Sequence, residues 1–249
     1  MSADHVEYVK SWLEESGYGL ELRLASALRE TGGFVGQSIP YSDPLEGKLR
    51  EADLIYVQEV PMDSRQSARV NVVFECKSSK KNPWVVFDVA SGHAHAAART
   101  QAIILAEDAY VRERANELLS DDAIFKYEWF GHAVVSARKG EDTEGLNTAQ
   151  RAVRQVISAT YGMVDFYQAI PGVKVFIPAV VTSAPIVTCR LAPESGEIQV
   201  ATTEYAQVRA MPEGKKRSLV VHVMSEKYAS THFAETAKRL ARTLRHPSE

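Results

Sequence analysis

The stretch Arg50-Glu51-Ala52-Asp53-Leu54-Ile55-Tyr56-Val57, answered further on by Val70-Asn71-Val72-Val73-Phe74-Glu75-Cys76-Lys77, decides the reading of this chain. Both runs are rich in the β-branched and aromatic residues that favour strands, and the polar segment Met62 to Ala68 lets the second fold back on the first. In the second strand a side-chain period of two puts Glu75 and Lys77 on one face and Phe74, Cys76 and Ser78 on the other. A carboxylate and an ammonium in an otherwise apolar, internal strand are costly unless they are paired or bind a metal. Asp53 opens the preceding strand, and antiparallel pairing brings its carboxylate beside that of Glu75. Hard divalent cations such as Mg²⁺ prefer such oxygens and keep waters that serve as nucleophiles. Lys77 is placed to orient the water and to stabilise charge developing on a phosphate. The expected chemistry is metal-dependent cleavage of phosphodiester bonds.

Working outward, Val6 to Leu13 and Leu20 to Leu28 carry apolar residues at helical spacing, the second run stopping at Gly32 and Gly33. Phe34 to Tyr41 is a short β-prone run, and the turn residues of Asp43 to Gly47 join it to Leu49 to Val57 as a hairpin. Val85 to Val89 is read as a strand, Ala94 to Glu117 as a helix and His132 to Ala137 as a short strand. Asn147 is placed to cap a helix from Thr148 to about Gln168, bent or broken near Gly162. Strands are expected at Val173 to Val181, Ile186 to Leu191, Ile198 to Thr203 and Leu219 to Met224, then a closing helix from Thr231 to Leu244.

The bulk composition agrees with a soluble globular chain: 249 residues, 45% hydrophobic and 24% charged. The amino terminus has no signal-peptide pattern and the longest apolar run, Val175 to Val187, is interrupted by Pro178, Thr182, Ser183 and Pro185, so a cytoplasmic protein without membrane spans is expected. Cys76 and Cys189 are too few for a disulfide framework or a zinc site. A net charge of -3 provides no global attraction to nucleic acid, which leaves local basic patches to make such contacts. Nucleotide-binding glycine loops and the Gly-x-Ser-x-Gly elbow are absent from the sequence.

Asp53 followed, one strand later, by Glu75-Cys76-Lys77 resembles the PD-(D/E)xK, or restriction-endonuclease-like, nuclease superfamily, with Ala52 where the motif's proline would stand. The resemblance is carried by about Glu21 to Lys77. It implies an α/β fold with a mixed central sheet flanked by helices, and Mg²⁺ or Mn²⁺ held by Asp53, Glu75 and the backbone carbonyl of Cys76, with Lys77 acting on the water. Gly19-Leu20-Glu21-Leu22 is similar to the start of the family's core helix, making Glu21 a further candidate ligand. On the second core helix Gln150, Arg154 and Gln155 are candidate phosphate contacts. The family's order of elements divides a single domain, 1–249, into a core at about 18–87 and 146–191, an insertion at about 88–145, and carboxyl-terminal strands and a helix at 192–249. DNA is the implied substrate, with RNA left open, and relatives that cut both strands suggest a homodimer or a partner subunit. The rival expectation is a silent nuclease-like binding or scaffold subunit in a bacterial (phage) defence or repair assembly; a third is an enzyme for another phosphorylated substrate.

Other polar groups have two readings each. Ser78, Ser79, Lys80, Lys81 and Trp84 form either a dock for a phosphate backbone or base, or a solvated loop. Lys215-Lys216-Arg217 reads as an exposed turn or a DNA contact, and the pairs Arg151/Arg154 and Arg239/Arg242 as phosphate contacts or solvated faces. His93-Ala94-His95 lacks a third zinc ligand nearby. Cys76, facing away from the acids, is a small buried hydrophobe.

Overall fold

Leucines three and four apart give one end of the chain its helices, and β-branched runs give it its strands. The computed structural model describes residues 3–44, 46–62, 66–79, 82–90, 102–120, 122–125, 129–137, 147–192, 194–211, 214 and 218–245. Helices α1 (Ala3–Ser16) and α2 (Tyr18–Glu30) meet at Gly17, whose φ of 94° glycine tolerates without strain. Strands β1 (Phe34–Ser42), β2 (Leu49–Pro61) and β3 (Ser67–Lys77) follow as an antiparallel meander. Next come β4 (Trp84–Ala90), β5 (Ile103–Leu105), α3 (Ala109–Ser120), β6 (Trp129–Ser136) and α4 (Thr148–Tyr167). The chain continues through β7 (Gly172–Thr182), β8 (Ile186–Leu191), β9 (Ile198–Thr203), β10 (Tyr205–Ala210) and β11 (Leu219–Ser225). A short α5 (Glu226–Tyr228), a π-helical turn at Ala229–Phe233 and α6 (Ala234–Thr243) complete it.

The strands form one mixed sheet in the order β1-β2-β3-β7-β11-β10-β6-β4-β8-β9, with β5 beside part of β7. Parallel pairs are β3 with β7, β7 with β11, β4 with β8 and β6 with β10. Helices flank this sheet, so the fold is mixed α/β. Alternation along β3 and β7 divides the core in two. Val70, Val72, Phe74 and Cys76 face α2, α3 and α6, where Leu20, Leu24, Ala115, Leu119, Ala237 and Leu240 meet them. Val73, Phe176 and Val180 face α4 and its Ala152, Val156 and Met163. Each leucine so buried contributes about 1.5–3 kcal/mol relative to exposure. Strand β7 is buried along its whole length, as a strand covered by helices on both faces must be. Its Pro178, which has no N–H to give, falls where pairing to β5 has ended at Phe176 and pairing to β11 has not begun before Ala179.

Three expectations change. The helix read from Ala94 to Glu117 is a strand at Ile103–Leu105, because the lower half of β7 has an edge to pair; α3 begins at Ala109, where Asp108 Oδ1 accepts from the N–H groups of Tyr110 and Val111. Residues 91–101, His93-Ala94-His95 among them, lie outside the described residues. Strand β10 was not expected, although Ala206, Val208 and Ala210 alternate with Gln207 and Arg209 as on a half-buried strand and pack on the α4 side. Helix α4 passes unbroken through Gly162, which serves as a contact: a Cβ there would lie 2.3 Å from the Tyr41 ring. Gly162→Ala is therefore expected to destabilise the fold by about 1–3 kcal/mol, read as a lowered denaturation midpoint. An unchanged midpoint would show that α4 is not held against β1 at this point. The segment read as an insertion, 88–145, supplies β5 and β6 to the common sheet.

Candidate metal centre

Asp53 sits where the sheet loosens. The β1–β2 ladder skips the position of Asp53, opposite Ser38, whose φ is 49°, and the β2–β3 ladder ends one residue short of it at Leu54↔Phe74. Leu54 and Tyr56 face the α2 side while Ala52 and Ile55, three apart, both face α4, so the alternation breaks across Asp53. Freed from the ladder, its side chain replaces the missing backbone acceptor: Asp53 Oδ2 takes a hydrogen bond from the N–H of Cys76 at 2.7 Å. That bond fixes the carboxylate at the end of β3, between Glu75 and Lys77.

Glu75 is 5% exposed and Lys77 ion-pairs with it through Nζ and Oε1. Glu21, in the first turn of α2 and half-buried, completes the cluster. Three carboxylates thus share one ammonium. Burial, then the negative charge of Asp53, pushes Glu75 up to about 7 against the opposing pull of Lys77, with Glu21 adding to the rise. Burial and Asp53 push Glu21 up to about 7 as well, again opposed by Lys77. Burial also raises Asp53, while the Cys76 N–H and Lys77 counter it and Glu51 adds to it. When all three acids ionise, the site carries an excess of negative charge that a cation would relieve. Among the described residues no three His, Cys, Asp or Glu side chains already converge as a metal cage. The present contacts give the reason: Glu75 is turned to Lys77 and Asp53 to the Cys76 N–H, each satisfying a partner within the protein.

The other residues singled out in the sequence fall in varied places. The Cys76 side chain lies in the α2-side core, and burial pushes its thiol well up. Ser78 Oγ donates to the carbonyl of Glu14 at 3.2 Å, and the N–H of Ser79 to Ser183 Oγ at 2.9 Å, so both secure the exit of β3. Trp84 is fully buried in the α4-side core and so is closed to a docking base. Lys80, Lys81 and Lys215-Lys216-Arg217 lie outside the described residues. Gln150 closes a capping box, its Oε1 accepting from the Asn147 N–H and its own N–H donating to Asn147 Oδ1. Arg154 and Gln155 line a cleft of about 510 Å³ with Tyr41, Arg50 and Arg151. Arg239 is engaged with Asp122 at 2.8 and 2.9 Å.

Sequence reasoning missed Tyr41. It lines the cleft, and its hydroxyl is raised by burial first and then by the carboxylates of Asp43 and Glu75. The available signal was its position in β1 opposite Arg50, one strand from the motif. No helix among the described residues is long and apolar enough to cross a membrane. No protein-family model matches the chain, and neither a curated protein nor a solved structure matches it.

Proposed function

We propose that the chain is a divalent-metal-dependent nuclease that hydrolyses DNA phosphodiester bonds, with a restriction-endonuclease-like core. The observation that carries this reading is the crowding of Glu21, Asp53 and Glu75 around Lys77 where two strands of the sheet part, with two of the three acids pushed up to about 7. The donor set fits Mg²⁺ or Mn²⁺, because hard cations take carboxylate and carbonyl oxygens and the ionised acids lack a full set of counter-charges. Asp53, Glu75 and the Cys76 carbonyl would hold the ion, with Glu21 as a further ligand. Such an ion lowers the pKa of water and neutralises charge on the phosphate. Lys77, released from Glu75, would keep its protons and hydrogen-bond through its ammonium to the oxygen of the water and to the phosphoryl oxygens, orienting the one and stabilising charge on the other. Leu54, Phe74 and Val73 beside these groups are buried, so the change that metal binding requires is confined to the side chains of Glu75, Asp53 and Lys77.

A second reading, a silent binding module, is favoured by the Glu75–Lys77 pairing and the net charge of -3. Incubation of supercoiled and linear DNA, and of RNA, with Mg²⁺, Mn²⁺ or EDTA separates the two. DNA cleavage in Mg²⁺ or Mn²⁺ that stops in EDTA is expected. Cleavage that persists in EDTA refutes the metal mechanism, and binding without cleavage in either metal assigns the chain to the second reading.

A further inference from the structure

A column of rings runs from the surface into the core beside the π-helical turn. His232 and Tyr228 stack with centroids 5.0 Å apart and planes 14° apart, and Tyr228 stacks on Tyr205 at 4.7 Å and 14°. Tyr205 stacks in turn on His222 at 5.9 Å and 23°. The inner end is firmly held. Gln207 Nε2 donates to the Tyr205 hydroxyl at 2.6 Å and to the carbonyl of Ile124 at 2.6 Å, and the Tyr205 hydroxyl bonds His222 Nδ1 at 2.7 Å. Phe125, edge-on at 73°, and Phe233, tilted at 55°, close around His222. The outer end is open: His232 is exposed, and a 2.8 Å bond between its Nδ1 and Thr231 Oγ1 sets the ring. π-helical turns recur at functional positions, and this one carries the exposed ring.

The column opens on the same end of the sheet as the metal-ligand candidates. Lys77 pairs with Thr182 and Thr182 with Ser225, two strand spacings or about 10 Å, and α5 starts at the next residue. Arg23, two positions after Glu21 on α2, binds Glu226 of α5 at 2.9 Å. His232 lies seven residues beyond Ser225 along α5 and the π-helical turn, about 10 Å of helical rise, and the column stands on the α2 side of the sheet, opposite the face of Lys77, so a strand that meets both must round this end of the sheet.

We propose that His232 is a stacking platform for an unpaired base of the substrate strand, so that the site takes single-stranded or frayed DNA in preference to intact duplex. The inference rests on the nuclease reading and specifies its substrate. A ring already backed by three others needs little ordering when a flat base is added, and bases within a duplex already have their stacking partners.

The test is binding of the full chain, in Ca²⁺, to a single-stranded oligonucleotide containing 2-aminopurine, to its abasic counterpart and to a duplex. Quenched fluorescence on binding is expected, with the single strand preferred. His232→Ala should weaken binding of the base-containing strand about 10-fold and remove the quenching, His232→Trp should keep both, and the abasic strand should bind all three proteins alike. Equal binding and quenching by wild type and His232→Ala overturn the proposal, as does an equal loss for base-containing and abasic strands, which marks a backbone contact. A wild type that cuts DNA while His232→Ala binds unchanged refutes the platform alone; a wild type that neither binds nor cuts any nucleic acid refutes the nuclease reading with it. An unchanged melting temperature in His232→Ala shows that the loss is local.

Discussion

Lys77→Ala is expected to slow DNA cleavage in Mg²⁺ by roughly 10²–10⁴-fold, the range for removing a group that positions a proton or stabilises developing charge. Asp53→Ala and Glu75→Ala should reduce cleavage at least as far, by a different route that a second measurement exposes. The two carboxylates hold the ion, so their loss should abolish the thermal stabilisation that Mn²⁺ gives the wild type, worth about 2.7 kcal/mol at a hundredfold excess over Kd. Lys77→Ala, which frees Glu75 of its ion pair, should retain that stabilisation while turnover falls. Retained Mn²⁺ stabilisation in Glu75→Ala, or undiminished cleavage in all three variants, would sink the assignment of roles. Asp53→Ala has a further cost, since it leaves the N–H of Cys76 without its acceptor.

Glu75→Gln should inactivate the protein and, in EDTA at pH 8, make it more stable by roughly 2–3 kcal/mol. The sign follows from the direction of the shift. The Glu75 carboxyl is pushed up to about 7 in the folded protein, by burial first and Asp53 second, from an ordinary value of 4.5. Below the ordinary value both folded and unfolded chains hold the proton and the burial of a charge costs nothing. Between there and about 7 the unfolded chain ionises first, so stability falls as pH rises, and above about 7 the full cost of the buried charge is present. Glutamine removes the charge, and the Lys77 ammonium, with 27% of its side chain exposed, remains hydrated. Denaturant melts of wild type and variant at pH 5 and pH 8 should therefore differ little at the lower pH and most at the higher. Equal stability at both, or a less stable variant at pH 8, would show that Lys77 already compensates Glu75 and that the site is not primed for a cation.

Much of this architecture was legible in the amino-acid sequence because its signals are local. The helical spacing of Leu20, Leu24 and Leu28, the capping box begun by Asn147 and the β-branched run ending in Glu75-Cys76-Lys77 each declare themselves within one element. Strand β5 and Gly162 were misread because their states depend on a partner: Ile103–Leu105 becomes a strand only against the free edge of β7, and Gly162 is tolerated in a helix because Tyr41 leaves no room for a side chain. Tyr41 itself carries no motif, and its place near Glu75 arises from the meander of β1, β2 and β3.

The sequence by itself determined that Glu75 and Lys77 share a strand face and that Asp53 lies one strand away, since a period of two and a hairpin are consequences of local chain geometry. Only the tertiary structure decided that Asp53 leaves the ladder to accept from Cys76, that Glu21 joins from α2, and that Gln150 and Trp84 are spent on a helix cap and the core. Those outcomes depend on which elements pack together and on how far burial raises the cost of a charge, neither of which any single segment contains.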